Sequence, residues 1–125
     1  MKKMRVIKVK IHNFIDYVLS LALLISPWLF NMESGSMASK IIYTIGLCIL
    51  LNNFITKHKF GLTKMLCVTT HLKVDLFLAV FLAASPWLYG FQNSYALPHI
   101  FIGLLIIANV LLTKVPKKKG NMNLV

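Results

Sequence analysis

Residues 12–29 of this chain return at 71–88, and a segment that recurs this closely sets the unit from which the fold is built. Ser26-Pro27-Trp28-Leu29 reappears as Ser85-Pro86-Trp87-Leu88, 59 positions later. At the same offset His12 returns as His71, Asp16 as Asp75, Leu19 as Leu78 and Leu23 as Leu82, so eight of eighteen positions are identical. A second alignment follows at an offset of 57, where Gly46-Leu47, Asn52 and Thr56-Lys57 match Gly103-Leu104, Asn109 and Thr113-Lys114. The loop between the two matching halves is therefore two residues shorter in the second copy.

The residues between these landmarks are too apolar for a water-soluble domain. Hydrophobic residues make up 58% of the chain and charged ones only 14%, against about a quarter in soluble domains. Four apolar runs, Tyr17 to Phe30, Ile41 to Leu51, Leu76 to Phe91 and Leu97 to Leu112, approach the roughly 20 residues that cross a bilayer once their flanks are included. None alternates with a polar face, as the helices of a soluble bundle do. The pattern predicts spans near 11–30, 39–56, 72–91 and 97–113. The expected fold is all-α: a membrane protein with four transmembrane helices built from two parallel helix-pair repeats.

The N-terminus imitates a secretory signal, with five basic residues before an apolar stretch and a small-residue Ser36-Met37-Ala38 site. Against cleavage, the same apolar segment recurs inside the chain and carries an acid, Asp16.

Charge supplies a topology. Five Lys/Arg residues precede the first span, four (Lys57, Lys59, Lys64, Lys73) lie around the central connection, and four (Lys114, Lys117, Lys118, Lys119) follow the last span. The other connections carry only Lys40. Four spans put the three clusters on one side, which the positive-inside rule makes cytoplasmic. The implied layout is a basic N-terminus at 1–10, a first helix pair at 11–57, a linker at 58–70, a second pair at 71–114 and a basic tail at 115–125. A cytoplasmic (inner) membrane location follows, with anionic lipid headgroups as partners of the basic face. The net charge of +11 does not signal nucleic acid, because no basic face is interleaved with aromatic residues. Phe60, Leu62, Met65 and Leu66 beside Lys59 and Lys64 allow the linker to lie in the headgroup plane. Cys48 and Cys67 form neither a CxxC pair nor a disulfide framework.

A two-helix membrane unit whose first helix ends in Ser-Pro-Trp resembles the SPW repeat family, found in bacterial and archaeal membranes in one or two copies. The resemblance covers both helix pairs. Family members often carry a small residue six positions before the motif serine, as Ser20 and Ala79 do here, and Gly-Phe soon after it, as at Gly90-Phe91. The first copy has Asn31-Met32 instead, early tryptophans are missing, and His12 and His71 precede the acids. The resemblance implies an architecture and no biochemical activity.

His12, Asp16, Leu19 and Leu23, followed by Pro27, form one stripe at helical spacing, and its retention in both copies marks a face packed against protein. In the SPW motif, proline removes a backbone donor. Ser26 and Ser85 are placed to satisfy the freed groups, and Trp28 and Trp87 to anchor at the outer interface. Asp16 and Asp75 lie inside the spans, where ionisable residues face the protein and mark function. Three readings stay open for them: a polar latch with His12 and His71, a proton or ion relay, or a metal or haem site of two histidines and two carboxylates. Asn52 and Asn109 are expected to bond between helices. His99, beside Pro98, reads as an interfacial polar residue and His58 as a solvated one. With no phosphate loop, nucleophile elbow, triad or HExxH, no enzyme activity and no cofactor are expected. The favoured role is a structural or interaction module that self-associates or joins a larger membrane complex.

Overall fold

Long runs of Leu, Ile, Val and Phe without interior glycine pairs favour continuous helices, and four form: α1 (Val9–Leu29), α2 (Met37–Ile55), α3 (Val68–Leu88) and α4 (Ala96–Leu112). The structure is a computed structural model and describes residues 6–56 and 67–114. Helices α1, α2 and α3 are long and apolar enough to cross a membrane, and α4 is a shorter apolar helix of 17 residues. This is an all-α membrane protein. The first turn of α3 takes up Val68–Thr70, which the sequence reading places in the linker. The remainder of the linker from 58 to 66, including His58, and the tail from 115 lie outside the described residues.

Helix α1 packs on α2 and α3 on α4, and the two pairs join through α2–α3 and α1–α4 contacts. Glycine allows the closest approach within each pair. A Cβ on Gly46 would stand 3.0 Å from Leu24 Cδ2, and one on Gly103 would stand 3.1 Å from the Ala79 carbonyl oxygen. The core is built from matching residues of both pairs: Leu23 with Leu82, Ile45 with Ile102 and Ile49 with Ile106. Around it Phe14, Val18, Phe77, Val80, Leu104 and Leu111 are exposed, as lipid-facing side chains are.

The two SPW motifs end their helices in the same way. Pro27 cannot donate to the Leu23 carbonyl, and the Ser26 hydroxyl donates to it instead at 2.8 Å. Ser85 does the same for Leu82, freed by Pro86, at 2.7 Å. Each helix ends two residues after its proline, at Leu29 or Leu88, and four residues after it the chain turns left-handed, at Asn31 (φ 51°) or Gly90 (φ 75°). The next amide then reaches back to the proline carbonyl, from Met32 to Pro27 at 2.9 Å and from Phe91 to Pro86 at 2.8 Å. Asn31-Met32 thus fills the place of Gly90-Phe91 by the same physics, since asparagine tolerates the left-handed region better than most residues. Trp28 and Trp87 point away from the bundle, 77% and 61% exposed.

The two halves also differ in how tightly they pack beside the SPW end. Between α1 and α4 an apolar groove of about 540 Å³ opens beside Ala22, whereas the matching position in α3 is Phe81 and the groove there is about 230 Å³.

Candidate functional site: a buried histidine–aspartate tetrad

The site lies where α1 and α3 begin and α2 and α4 end. Spacing of four residues puts His12 above Asp16 on one face of α1, and His71 above Asp75 on α3. The helices sit diagonally across the bundle, so the two faces meet at its axis. All four side chains are fully buried. The imidazole rings lie edge to face, 5.4 Å apart between centroids.

The pairing crosses between the helix pairs. His12 Nε2 stands 3.2 Å from Asp16 Oδ2 and 3.3 Å from Asp75 Oδ2. His71 Nε2 stands 3.0 Å from Asp16 Oδ2 and 3.2 Å from Asp75 Oδ2. Each acid is therefore held by its own histidine and by the other pair's. One ligand atom from each of the four residues can be chosen so that all lie within 4.8 Å of one another.

The surrounding shell comes from α2 and α4. Asn52 Nδ2 donates to Asp75 Oδ1 at 2.9 Å and to the His71 carbonyl at 3.2 Å. Asn109 Nδ2 donates to Asp16 Oδ1 at 3.1 Å and to the His12 carbonyl at 3.2 Å. The Thr56 hydroxyl donates to the Asn52 carbonyl, and the Thr113 hydroxyl to that of Asn109. Each hydroxyl proton is thereby committed, so the 2.8 Å contacts from Thr56 to His71 Nδ1 and from Thr113 to His12 Nδ1 require the ring to donate. The Nδ1 proton is fixed on both rings, and Nε2 is the atom turned to the carboxylates.

This fixes what the site needs. Two carboxylates buried without compensation are very costly. Two positive charges balance them, either on the imidazoles or on an ion among the four. Lys8, Lys10, Lys40, Lys73 and Lys114 are exposed and supply none of this. Below the tetrad, Ile7 closes the bundle end: its amide donates to the Leu112 carbonyl and its carbonyl accepts from the Lys114 amide, both at 2.8 Å.

The family model for the SPW repeat domain matches residues 10–113, a single match across both helix pairs. The chain belongs to the SPW repeat family. No curated protein and no solved structure matches it. In this SPW repeat protein the tetrad and the SPW motifs occupy opposite ends of the same two helices, α1 and α3.

Of the residues singled out from sequence, His12, Asp16, Asn52, His71, Asp75 and Asn109 converge on the tetrad, while Ser26, Pro27, Trp28, Ser85, Pro86 and Trp87 stand apart from it at the other end. Thr56 and Thr113 were not singled out as site residues, although the repeat pairs them. His99, in the first turn of α4, is fully buried in the bundle, with Nδ1 2.8 Å from the Tyr95 carbonyl and Nε2 3.0 Å from the Ala38 carbonyl on α2. Phe91 lies tilted against its ring, with centroids 4.7 Å apart.

Proposed function

We propose that this SPW repeat protein is a small structural module of the bacterial or archaeal cytoplasmic membrane, with both termini cytoplasmic, that acts by assembling with itself or with a larger membrane complex. The observation that carries this reading is the cross-pairing of the tetrad. Its four ionisable groups are used to fasten one helix pair to the other, which makes a rigid unit rather than a pathway. Toward the SPW end the core continues as Leu23, Ile42, Ile49, Ala79, Leu82 and Ile106, all apolar and fully buried. Ser20 there turns its hydroxyl back to the Tyr17 carbonyl of its own helix. Among the described residues this apolar layer separates the tetrad from the buried polar groups Ser26, Ser39, Ser85 and His99 at the SPW end, so conduction through Asp16 and Asp75 has less support. The basic clusters suit anionic headgroups on the cytoplasmic leaflet.

The test is the native mass of the protein released from its own membrane in mild detergent. Assembly gives a whole multiple of 14.2 kDa above one, or a heavier complex with a second subunit. A strictly monomeric species overturns the reading. Proton or ion flux in sealed vesicles that Asp16→Asn with Asp75→Asn abolishes would reassign the protein to conduction.

A further inference from the structure

We infer that His12, Asp16, His71 and Asp75 form a closed binding site for one divalent transition-metal ion of the zinc class, which clasps the two helix pairs together. This goes beyond the assembly reading and does not depend on it.

The donor positions carry the inference first. The four donors alternate around a ring, nitrogen next to oxygen, with sides of 3.0, 3.2, 3.2 and 3.3 Å. Metal–nitrogen and metal–oxygen bonds of about 2.0–2.2 Å put neighbouring ligand atoms about 2.9 Å apart in a square and about 3.4 Å apart in a tetrahedron. The observed sides fall within that interval, and with all four ligand atoms inside 4.8 Å of one another, small side-chain adjustments bring them onto one central ion.

Orientation carries it further. His12 Nε2 is fully buried and within 3.3 Å of two carboxylate oxygens, yet it makes a hydrogen bond with neither. Asp75 Oδ2 also has no hydrogen bond. These atoms are paired by charge, yet neither is spent on a directed hydrogen bond, which leaves both available to an ion between them. The outer shell matches the arrangement that metal-binding histidines use, in which the second ring nitrogen donates to a fixed acceptor and sets the tautomer. Thr56 and Thr113 are those acceptors. Asn52 and Asn109 occupy Oδ1 of each acid and leave Oδ2 for the centre.

The donor set selects the ion. Two imidazoles and two carboxylates carry two negative charges, which one divalent cation neutralises. Mixed nitrogen and oxygen donors numbering four suit zinc and its neighbours, whereas calcium and magnesium take more ligands, all oxygen. All four positions are filled by protein and none is open to solvent, the pattern of a structural site rather than a catalytic one.

The test uses the full chain in mild detergent, freed of any affinity tag and stripped with a chelator. Titration with Zn²⁺ alone and Co²⁺ alone is read by bound metal per chain and by the Co²⁺ visible spectrum. The expected result is one ion per chain, with the intense visible bands of four-coordinate Co²⁺, undisturbed by about a hundredfold excess of Mg²⁺ or Ca²⁺. Asp16→Asn with Asp75→Asn should lose the ion while keeping its helical circular dichroism. Thr56→Val with Thr113→Val should keep the stoichiometry and weaken affinity about 10–100-fold, as loss of outer-shell partners does. Folded wild-type protein that takes up neither metal overturns the inference, leaving a tetrad closed by protons. Metal retained by the folded Asn variant overturns it too, since the ion would then sit elsewhere. If the Asn variant does not fold, the wild-type stoichiometry and Co²⁺ spectrum decide by themselves. An assembly with no bound metal refutes only the site, and a metal-loaded monomer refutes only the assembly reading.

Discussion

His71 Nε2 lies 3.0 Å from Asp16 Oδ2, the shortest of the four histidine–aspartate contacts and one that joins residues 55 positions apart. It is shorter than either contact between neighbours on the same helix, at 3.2 Å each. The other contact across the bundle, His12 Nε2 to Asp75 Oδ2, is the longest at 3.3 Å, so local and cross-bundle contacts alternate around one closed ring, and the cluster resists separation of the helix pairs.

Removing one member should therefore be severe. Asp16→Leu leaves buried positive or metal-bound charge without its partner and is expected to destabilise the protein by about 3–5 kcal/mol. Reversible unfolding in mixed detergent micelles, followed by circular dichroism, measures it. A loss below about 1 kcal/mol would show that the tetrad holds little, since that is the range of an exposed pair.

The serine–proline pairs should behave as coupled units. Ser26→Ala orphans the Leu23 carbonyl in the native chain and should cost about 1–3 kcal/mol. In a Pro27→Ala background the restored backbone N–H serves that carbonyl, and the same serine change should cost close to nothing. A double-mutant cycle reads the difference. Additive effects would mean the hydroxyl does not substitute for the missing donor.

The two left-handed caps should respond in opposite directions. Gly90 has open space around a would-be Cβ, so Gly90→Ala carries only the conformational cost of about 1–2 kcal/mol. Asn31→Gly, at the matching position, should be neutral or slightly stabilising. Thermal unfolding of the two variants side by side checks the sign.

The interhelical glycines should be unequal. A Cβ at Gly46 meets chiefly the side chain of Leu24, which can turn away. One at Gly103 meets the backbone of α3 at Ala79 and Ala83, both at 3.1 Å, which cannot. Gly103→Ala should cost more than Gly46→Ala, by about 1–3 kcal/mol, the usual cost of overpacking. Equal losses would show that the α3–α4 backbone adjusts as easily as a leucine.

Much of this was legible in the chain itself. Apolar runs of span length, the 59-residue echo of Ser-Pro-Trp and the stripe from His12 to Leu23 determined four helices, two similar pairs and the faces that turn inward. These are local properties: helical period places residues four apart on one face whatever the neighbouring helix is. The partners on that neighbour were decided only by tertiary structure. Spacing pairs His12 with Asp16 and equally allows each pair to stand alone; the diagonal placement of α1 and α3 joins both pairs into one site. Thr56 and Thr113 repeat in the sequence as plainly as the asparagines. A threonine at a helix end signals nothing until the fold lays a histidine ring against its hydroxyl. His99 reads as interfacial beside Pro98, and it is buried because α2 presents the Ala38 carbonyl to it. Phe81 and Ala22 are both apolar residues in a span, and only packing shows that one narrows its groove and the other leaves it open. Periodicity determined which way each side chain faces, and the meeting of helices distant in sequence decided what it faces.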